Sequence, residues 1–529
     1  MINKIVSKPS NWNFYLLCLV NVLLLLLPNV FFLQDKYASC ETLQVFIGLL
    51  LSLIASFIFL SATTSLSRIL FILFNCICYL LSSVASYFQF FYKILITPTL
   101  IQSIINTDIK ESTELINLSL ILWVTLIGIL PCILLVYSTY KLRNTNFNFR
   151  KIIKIVLIGL GILLLSIMLI GRNMVSLRVI SNSLPSFLPY SYILTTKNYY
   201  AIYRSSLGHK IVNINQLSSS TIEENTNHDL NIVLIIGESA RSDRWQINGY
   251  ERKTNPRLYG MKNLISFKNA YSLATNTPDG IYAIMKNTNY YDCSSFISIF
   301  NQLNFDTYWL SNQGTKYEMI NSIAKEAKKS LFSDDIRTTK LGNNYDGDLL
   351  PFIKEALDNK HHKLIVIHTI GSHRLYDLRY PSEFKQFEPV CINNEAYYSA
   401  GECTDIVKLD NSYDNTILYT DYFISEVIRS LSNSKALLIY ISDHGESLGE
   451  NGIFAHAYPM HEAPKEQKHI PLIIWASDRW LEDQKAGQKF EHIKTKTDDI
   501  VDQSSIFHTI LDCAGVKSDL IDKSKSLCH

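Results

Sequence analysis

The 529-residue chain has no Lys/Arg-rich block, no internal repeat and no low-complexity tract. Its net charge is only +2. Bulk attraction to nucleic acid is therefore excluded, and no RNA-binding signature is present. Long apolar runs are almost missing after Arg172. The 48% hydrophobic content is average, but it is concentrated before that residue. A chain of this length exceeds one compact domain, and the asymmetry shows where it divides.

Five apolar runs read as membrane-spanning helices, Phe14–Leu33, Leu43–Ala62, Ile69–Phe91, Leu118–Tyr137 and Ile155–Gly171. Each has about the 17–25 residues that crossing a bilayer core requires. Buried helices of a soluble protein would be amphipathic, whereas these are apolar all round. Lys4 and Lys8 precede the first run, Arg68 lies between the second and third, and Lys141, Arg143, Arg150, Lys151 and Lys154 lie between the fourth and fifth. The other loops are mixed or acidic. The positive-inside rule then places the N-terminus in the cytoplasm and everything after Arg172 outside. No small-residue cleavage site follows the first run, so it reads as a retained signal anchor.

Cys18, Cys76, Cys78 and Cys132 lie within these runs as apolar filler. Cys391 and Cys403 bracket a polar loop, a spacing that suits a disulfide in an oxidising compartment. Cys513 and Cys528 are placed to allow a second, which leaves Cys293 without an assigned partner.

Residues 1–171 are thus a transmembrane domain. Residues 172–228 form a connector, with Phe187 to Tyr190 and the cluster Tyr199, Tyr200 and Tyr203 suited either to a membrane surface or to packing on a globular domain. Residues 229–529 have an α/β pattern. Strand-like runs at Ile232–Ile236, Leu364–Thr369, Ala436–Ile441 and Ile470–Trp475 alternate with helical patterns such as Tyr317–Ser330 and Asp414–Ser430. Alternation of this kind predicts a mostly parallel sheet covered by helices.

Two of those strands end in polar motifs. Ile236-Gly-Glu-Ser-Ala-Arg241 ends the first, and Ser442-Asp-His-Gly-Glu-Ser447 ends the third. Functional groups gather beyond the carboxyl ends of such strands. Glu238, Asp443 and His444 are two carboxylates and an imidazole, a set that suits a divalent metal such as zinc. Standing alone, Glu238 reads equally well as a cap of the next helix. In Ala274-Thr-Asn-Thr-Pro-Asp-Gly-Ile, Thr277 before Pro278 reads as a helix N-cap, which would aim a helix amino end at an anion beside its hydroxyl. A plain Thr-Pro-Asp-Gly turn fits that pattern as well.

Several segments recur in one order. They are Gly-Glu-Ser-Ala-Arg-Ser-Asp around Glu238, Asn248-Gly-Tyr-Glu-Arg-Lys-Thr-Asn-Pro, His368-Thr-Ile-Gly-Ser-His373, Tyr413-Asp-Asn-Thr-Ile-Leu-Tyr, and Ser442-Asp-His-Gly-Glu-Ser-Leu-Gly-Glu450 followed by His456. Together they resemble the bacterial phosphoethanolamine transferases, which include the lipid A-modifying and mobile colistin-resistance enzymes, within the alkaline phosphatase/sulfatase superfamily. The resemblance covers the whole chain. It implies a five-helix transmembrane bundle followed by a sulfatase-like α/β domain, with zinc bound by Glu238, Thr277, Asp443 and His444 and with Thr277 as nucleophile. It implies that His373 and His456 contact the phosphoethanolamine group, that Asn312 and Lys316 contact substrate, and that Asn106 and Glu114 lie near the lipid.

The chain departs from the family at Leu273 and Ala283, where a cysteine pair often flanks the nucleophile. A further cysteine pair is missing between Lys329 and Asp348. Thr275 is a fallback nucleophile. The reaction implied is a two-step exchange. Thr277 takes phosphoethanolamine from phosphatidylethanolamine, and an envelope acceptor, lipid A or lipopolysaccharide core or another glycan, then removes it. The alternatives are a phosphoglycerol transferase of the lipoteichoic acid synthase type, a periplasmic sulfatase or phosphatase, and a membrane sensor with a decayed site. Intact candidates at every metal position argue against the sensor.

Overall fold

The computed structural model describes residues 12–33, 43–92, 96–106, 116–141, 148–170, 186–207, 211–222, 229–290, 293–314, 318–333, 345–391 and 405–529. Two compact units result, Met1–Gln102 with Ser112–Ile202 and Ser103–Glu111 with Tyr203–His529.

The first unit contains five helices long and apolar enough to cross a membrane, α1 Asn13–Leu33, α2 Leu43–Thr64, α3 Arg68–Tyr92, α4 Leu118–Lys141 and α5 Phe149–Leu169. The fifth begins six residues before the hydropathy run, so Arg150, Lys151 and Lys154 are helical rather than loop. Their aliphatic stems extend the helix while their charges can reach an interface. Polar side chains inside this unit satisfy one another. Asn21 donates to Ser61 Oγ at 2.7 Å and to Asn75 Oδ1 at 3.1 Å, and accepts from the Tyr79 hydroxyl. Asn75 in turn donates to Thr64 Oγ1 at 3.2 Å. From the connector, Phe187 and Leu188 are buried in this unit, and Asn29 bonds both the N–H and the C=O of Leu188 at 2.9 Å. A helix, Tyr190–Leu207, follows.

The second unit is built on an eight-stranded sheet. In chain order its strands are β1 Leu230–Gly237, β2 Leu264–Tyr271, β3 Asp306–Ser311, β4 Lys329–Leu331, β5 Lys363–His368, β6 Lys435–Ser442, β7 His469–Ala476 and β8 Val501–Asp502. Their order across the sheet is β8-β2-β7-β6-β1-β5-β3-β4. Only β7 runs antiparallel, to both β2 and β6, so the sheet is mostly parallel as expected. On β1, Ile232, Leu234 and Ile236 enter one core while Val233 and Ile235 enter the other. Such alternation is what a strand with both faces covered by helices requires.

The expected helix Tyr317–Ser330 is not one element. Its described part is a short helix, Glu318–Ala324, and Lys329–Leu331 instead pairs with Tyr308–Leu310 as the edge strand β4. The helix closes in two tight turns, Glu326 N–H to the Ile323 carbonyl and Ala327 N–H to the Ala324 carbonyl, while the Glu326 carboxylate accepts from the Ser295 N–H and from the hydroxyls of Ser295 and Ser298 at 2.7–3.0 Å. Cys513 and Cys528 form a disulfide, with 6.1 Å between their Cα atoms. Cys391 is also disulfide-bonded, while Cys403, its expected partner, lies outside the described residues. Cys293 is free and buried.

Candidate active site

The carboxyl edge of the sheet collects the site. Gly237 at the end of β1 is in register with Ser442 at the end of β6, and Ile236 is in register with His368 at the end of β5. Glu238, Asp443 and the segment leading to His373 therefore leave three adjacent strands at one level. Thr277 arrives from β2 at the start of helix α6, Thr277–Met285. The N-cap is Asn276, not Thr277, because its side-chain oxygen accepts from the Asp279 N–H at 3.1 Å. The shift by one residue frees the Thr277 hydroxyl from capping and turns it toward the ligand set.

The distances are short. Thr277 Oγ1 donates to Glu238 Oε2 at 3.0 Å and lies 3.3 Å from His444 Nε2. His444 Nε2 is 3.4 Å from Glu238 Oε1 and 3.3 Å from Asp443 Oδ2. His444 Nδ1 lies 2.8 Å from the Gly445 carbonyl and donates to it, so Nε2 is the nitrogen turned toward Glu238 and Asp443. Asp443 Oδ1 accepts from the N–H groups of Ser239 and His444, but Oδ2 is buried with no hydrogen-bond donor. Glu238, Asp443 and His444 are all fully buried.

Acceptors that converge on one point without a cation leave an electrostatic imbalance. Burial pushes the His444 imidazolium down, yet the Asp443 and Glu238 carboxylates outweigh it and push it up to about 10. Burial first, and the Glu238 carboxylate second, push Asp443 well above the usual range. The cluster demands positive charge. Two carboxylates, one of them with an orphaned oxygen, an imidazole Nε2 and a hydroxyl fit a divalent cation with mixed oxygen and nitrogen preference.

His456 belongs beside this set. Glu238, His444 and His456 each offer a ligand atom within 4.8 Å of the others. His456 Nδ1 lies 2.6 Å from Glu446 Oε2, so it donates there and Nε2 is left as an acceptor. Glu446 is fully buried and also accepts from the Tyr376 hydroxyl at 2.9 Å. The ring of His456 is 4.2 Å from that of His444 and 6.4 Å from that of His373. Burial, opposed by the Glu238 carboxylate and helped by Arg379, pushes His373 down to about 3, so its imidazole is neutral.

Asn312 is buried and donates to Asp346 Oδ1 at 2.9 Å. Its neighbour Gln313 reaches the site instead, donating to Glu238 Oε2 at 3.0 Å and to the Thr369 carbonyl at 2.9 Å. Thr275 gives its hydroxyl proton to the Tyr458 carbonyl at 2.6 Å, which removes it as a fallback nucleophile. Asn106 ends a short helix, Pro98–Asn106. Lys316 and Glu114 lie outside the described residues. Sequence reasoning also passed over two glycines that the site requires. A Cβ on Gly280 would lie 2.4 Å from the Asp443 carbonyl oxygen, and Gly371, at φ +47°, lets its segment approach the Glu238 backbone.

The sulfatase family model matches residues 230–516, and the model described as phosphoethanolamine transferase EptA/EptB matches residues 50–203. The Kdo(2)-lipid A phosphoethanolamine 7''-transferase of Escherichia coli K12 is 30% identical over 498 residues, covering 85% of this chain and 84% of that protein. Phosphoethanolamine transferase EptA of Escherichia coli O157:H7 is 28% identical over 547 residues, covering 98% and 97%. The integral membrane lipooligosaccharide phosphoethanolamine transferase A from Neisseria meningitidis shares the fold, with a TM-score of 0.81, 23% identity, and coverage of 96% of this chain and 98% of that one. With five apolar helices, family matches over residues 50–203 and 230–516, and a relative 30% identical over 85% of its length, the chain belongs to the membrane-bound phosphoethanolamine transferases.

Proposed function

We propose that this enzyme moves phosphoethanolamine from phosphatidylethanolamine to lipid A or lipopolysaccharide core at the periplasmic face of the inner membrane. The single observation carrying this reading is the convergence of Thr277 Oγ1 with Glu238, Asp443 and His444 at 3.0–3.4 Å. Glu238, Thr277, Asp443 and His444 would hold zinc. Zinc bound there lowers the proton affinity of a hydroxyl and neutralises phosphate oxygens.

Glu238 Oε2, already accepting from the Thr277 hydroxyl, is the first station for its proton. Thr277 Oγ then forms a bond to phosphorus, the bond from phosphorus to the diacylglycerol oxygen breaks, and that oxygen takes up a proton from water. In the second step an acceptor oxygen attacks the same phosphorus, the bond from phosphorus to Thr277 Oγ breaks, and Thr277 recovers its proton from Glu238. His456, with Nδ1 fixed on Glu446, keeps Nε2 available to receive the acceptor's proton. Neutral His373 is a hydrogen-bonding group for phosphate oxygens or for the amine. The basic residues before α1 and around α5 support a cytoplasmic N-terminus and an exported catalytic unit. Membrane attachment keeps the site beside its lipid donor.

Mass spectrometry of Thr277 after incubation with phosphatidylethanolamine vesicles tests the reading. A phosphoethanolamine adduct is expected; phosphoglycerol, bare phosphate or no adduct would overturn it. The acceptor is tested by comparing envelope glycolipid masses in cells with and without the protein. A gain of one phosphoethanolamine on lipid A or core is expected, and no shift in any glycolipid removes that acceptor class.

A further inference from the structure

Gln503 stands between β8 and helix α7, Ser504–Cys513, with its side chain fully buried. Its Nε2 donates to the carbonyls of Ser442 at 3.0 Å and Asp443 at 2.6 Å. Its Oε1 accepts from the Leu273 N–H at 3.0 Å and lies 3.1 Å from the Ser272 hydroxyl. Only this orientation of the amide suits its partners, since two carbonyls need donors and an N–H needs an acceptor. One side chain thus joins the segment leading to the nucleophile with the segment bearing Asp443 and His444.

The junction is dense. Ser272 Oγ also lies 2.8 Å from the Asp443 carbonyl, on which α6 rests through Gly280. Further along, the Thr275 carbonyl accepts from the Ala457 N–H at 2.6 Å. Neither Leu273 nor Ala283 is a cysteine, so no disulfide at those positions ties the nucleophile segment, and hydrogen bonds carry its placement.

We propose that Gln503 is a positioning residue for transfer, holding the Thr277 segment in register with the Asp443–His444 pair. The proposal rests on the reaction proposed above. An error of about 1 Å in placing a reacting group costs on the order of a hundredfold in rate, so the effect belongs in kcat.

The test uses full-length, zinc-loaded protein in detergent. Gln503→Glu keeps the size but turns an oxygen toward two carbonyls, and Gln503→Met keeps the length and removes every polar contact. Both variants should bind as much zinc as the unaltered protein. Both should lose roughly 10- to 100-fold in kcat per zinc-loaded molecule with KM for phosphatidylethanolamine within about twofold. Amide exchange in 272–277 should quicken by about tenfold or more. Ser272→Ala, which removes the hydroxyl's contacts to Gln503, the Asp443 carbonyl and Ala274 but leaves the Gln503 amide on the Leu273 N–H and the two carbonyls, should shift both readouts less and in the same direction, and serves if the Gln503 variants do not fold. A merely structural role would give fewer folded molecules, each turning over at the normal rate. Normal kcat per zinc-loaded molecule, or unchanged exchange in 272–277, overturns the proposal. Should the unaltered protein gain no adduct on Thr277, the reaction reading fails, and the exchange measurement still decides whether Gln503 holds the segment.

Discussion

Both units bury polar side chains, and they do so in opposite ways. In the helical unit, Asn21, Ser61, Asn75 and Tyr79 form a network closed on itself. In the sheet unit, Glu238, Asp443 and His444 turn their free acceptors toward one point, and Asp443 Oδ2 has no donor. A closed network specifies packing. An open one stores a cost that only a ligand can relieve. The difference separates a structural cluster from a site before any chemistry is considered.

The sharpest way to break this comparison is at Thr277. Thr277→Ala should cut transfer by about a thousandfold or more and abolish the adduct, because Thr277 sets its hydroxyl against both Glu238 Oε2 and His444 Nε2, whereas the Ser239 hydroxyl is held on Glu238 Oε1. Quantitative mass spectrometry of product lipid measures it. Retained transfer would move the nucleophile elsewhere and empty the open cluster of its meaning.

Next in size is the metal. Asp443→Asn should lose the zinc that the unaltered protein binds, as read by elemental analysis. Excess zinc at about a hundred times Kd should stabilise the unaltered protein by about 2.7 kcal/mol and leave the variant unmoved. Without metal the variant should unfold no more easily than the parent, since Asn keeps the acceptor used by Ser239 and His444 while the orphaned charge disappears. A marked loss of metal-free stability would mean that the carboxylate is structural after all.

How much of this was legible in the sequence follows the same division. Glu238, Asp443 and His444 were readable because each directly follows a buried apolar run, so one strand end fixes each position. Thr277 was readable as a hydroxyl before Pro278, though the cap falls on Asn276. Strands β2 and β3 were not, since Leu264-Ile-Ser-Phe-Lys-Asn-Ala-Tyr mixes polar and apolar residues and Asp306-Thr-Tyr-Trp-Leu-Ser holds only three apolar residues between polar ends. Gln313, Glu446 and Gln503 left no periodic trace. Each acts through contacts far along the chain, as Gln503 does with Leu273 and Asp443, and only the folded register creates those contacts. First contacts with an ion follow local strand ends, whereas the groups behind them follow topology.

A third experiment places a closed carboxylate inside the catalytic unit. Asp421 accepts from the N–H groups of Arg257 and Leu258 at 3.0 and 2.9 Å, yet burial pushes it from 3.8 up to about 6. The folded value lies above the unfolded one, so the unfolded chain ionises first. Stability from this group is complete below about pH 4 and is lost as pH rises through about 6, by up to about 3 kcal/mol. Asp421→Asn removes that dependence. The difference in unfolding free energy between variant and parent should grow over this window and then level off, with zinc content unchanged. A difference independent of pH would show that the charge is not confined as described.

The smallest effect tests the other side of the comparison. Asn21→Leu deletes one donor pair and one acceptor from the helical network and leaves Ser61, Asn75 and Tyr79 to find new partners. Hydrogen bonds between membrane helices contribute only about 0.6 kcal/mol each, and at most about 1.7. The loss in detergent unfolding assays should therefore be about 1–2 kcal/mol. Because the network is closed, nothing in it faces a ligand, and zinc content and the Thr277 adduct should both be unaffected. If Asn21→Leu instead lowered the adduct yield per zinc-loaded molecule, the closed network would have a functional state of its own. Closure of hydrogen bonds would then no longer distinguish a scaffold from a site.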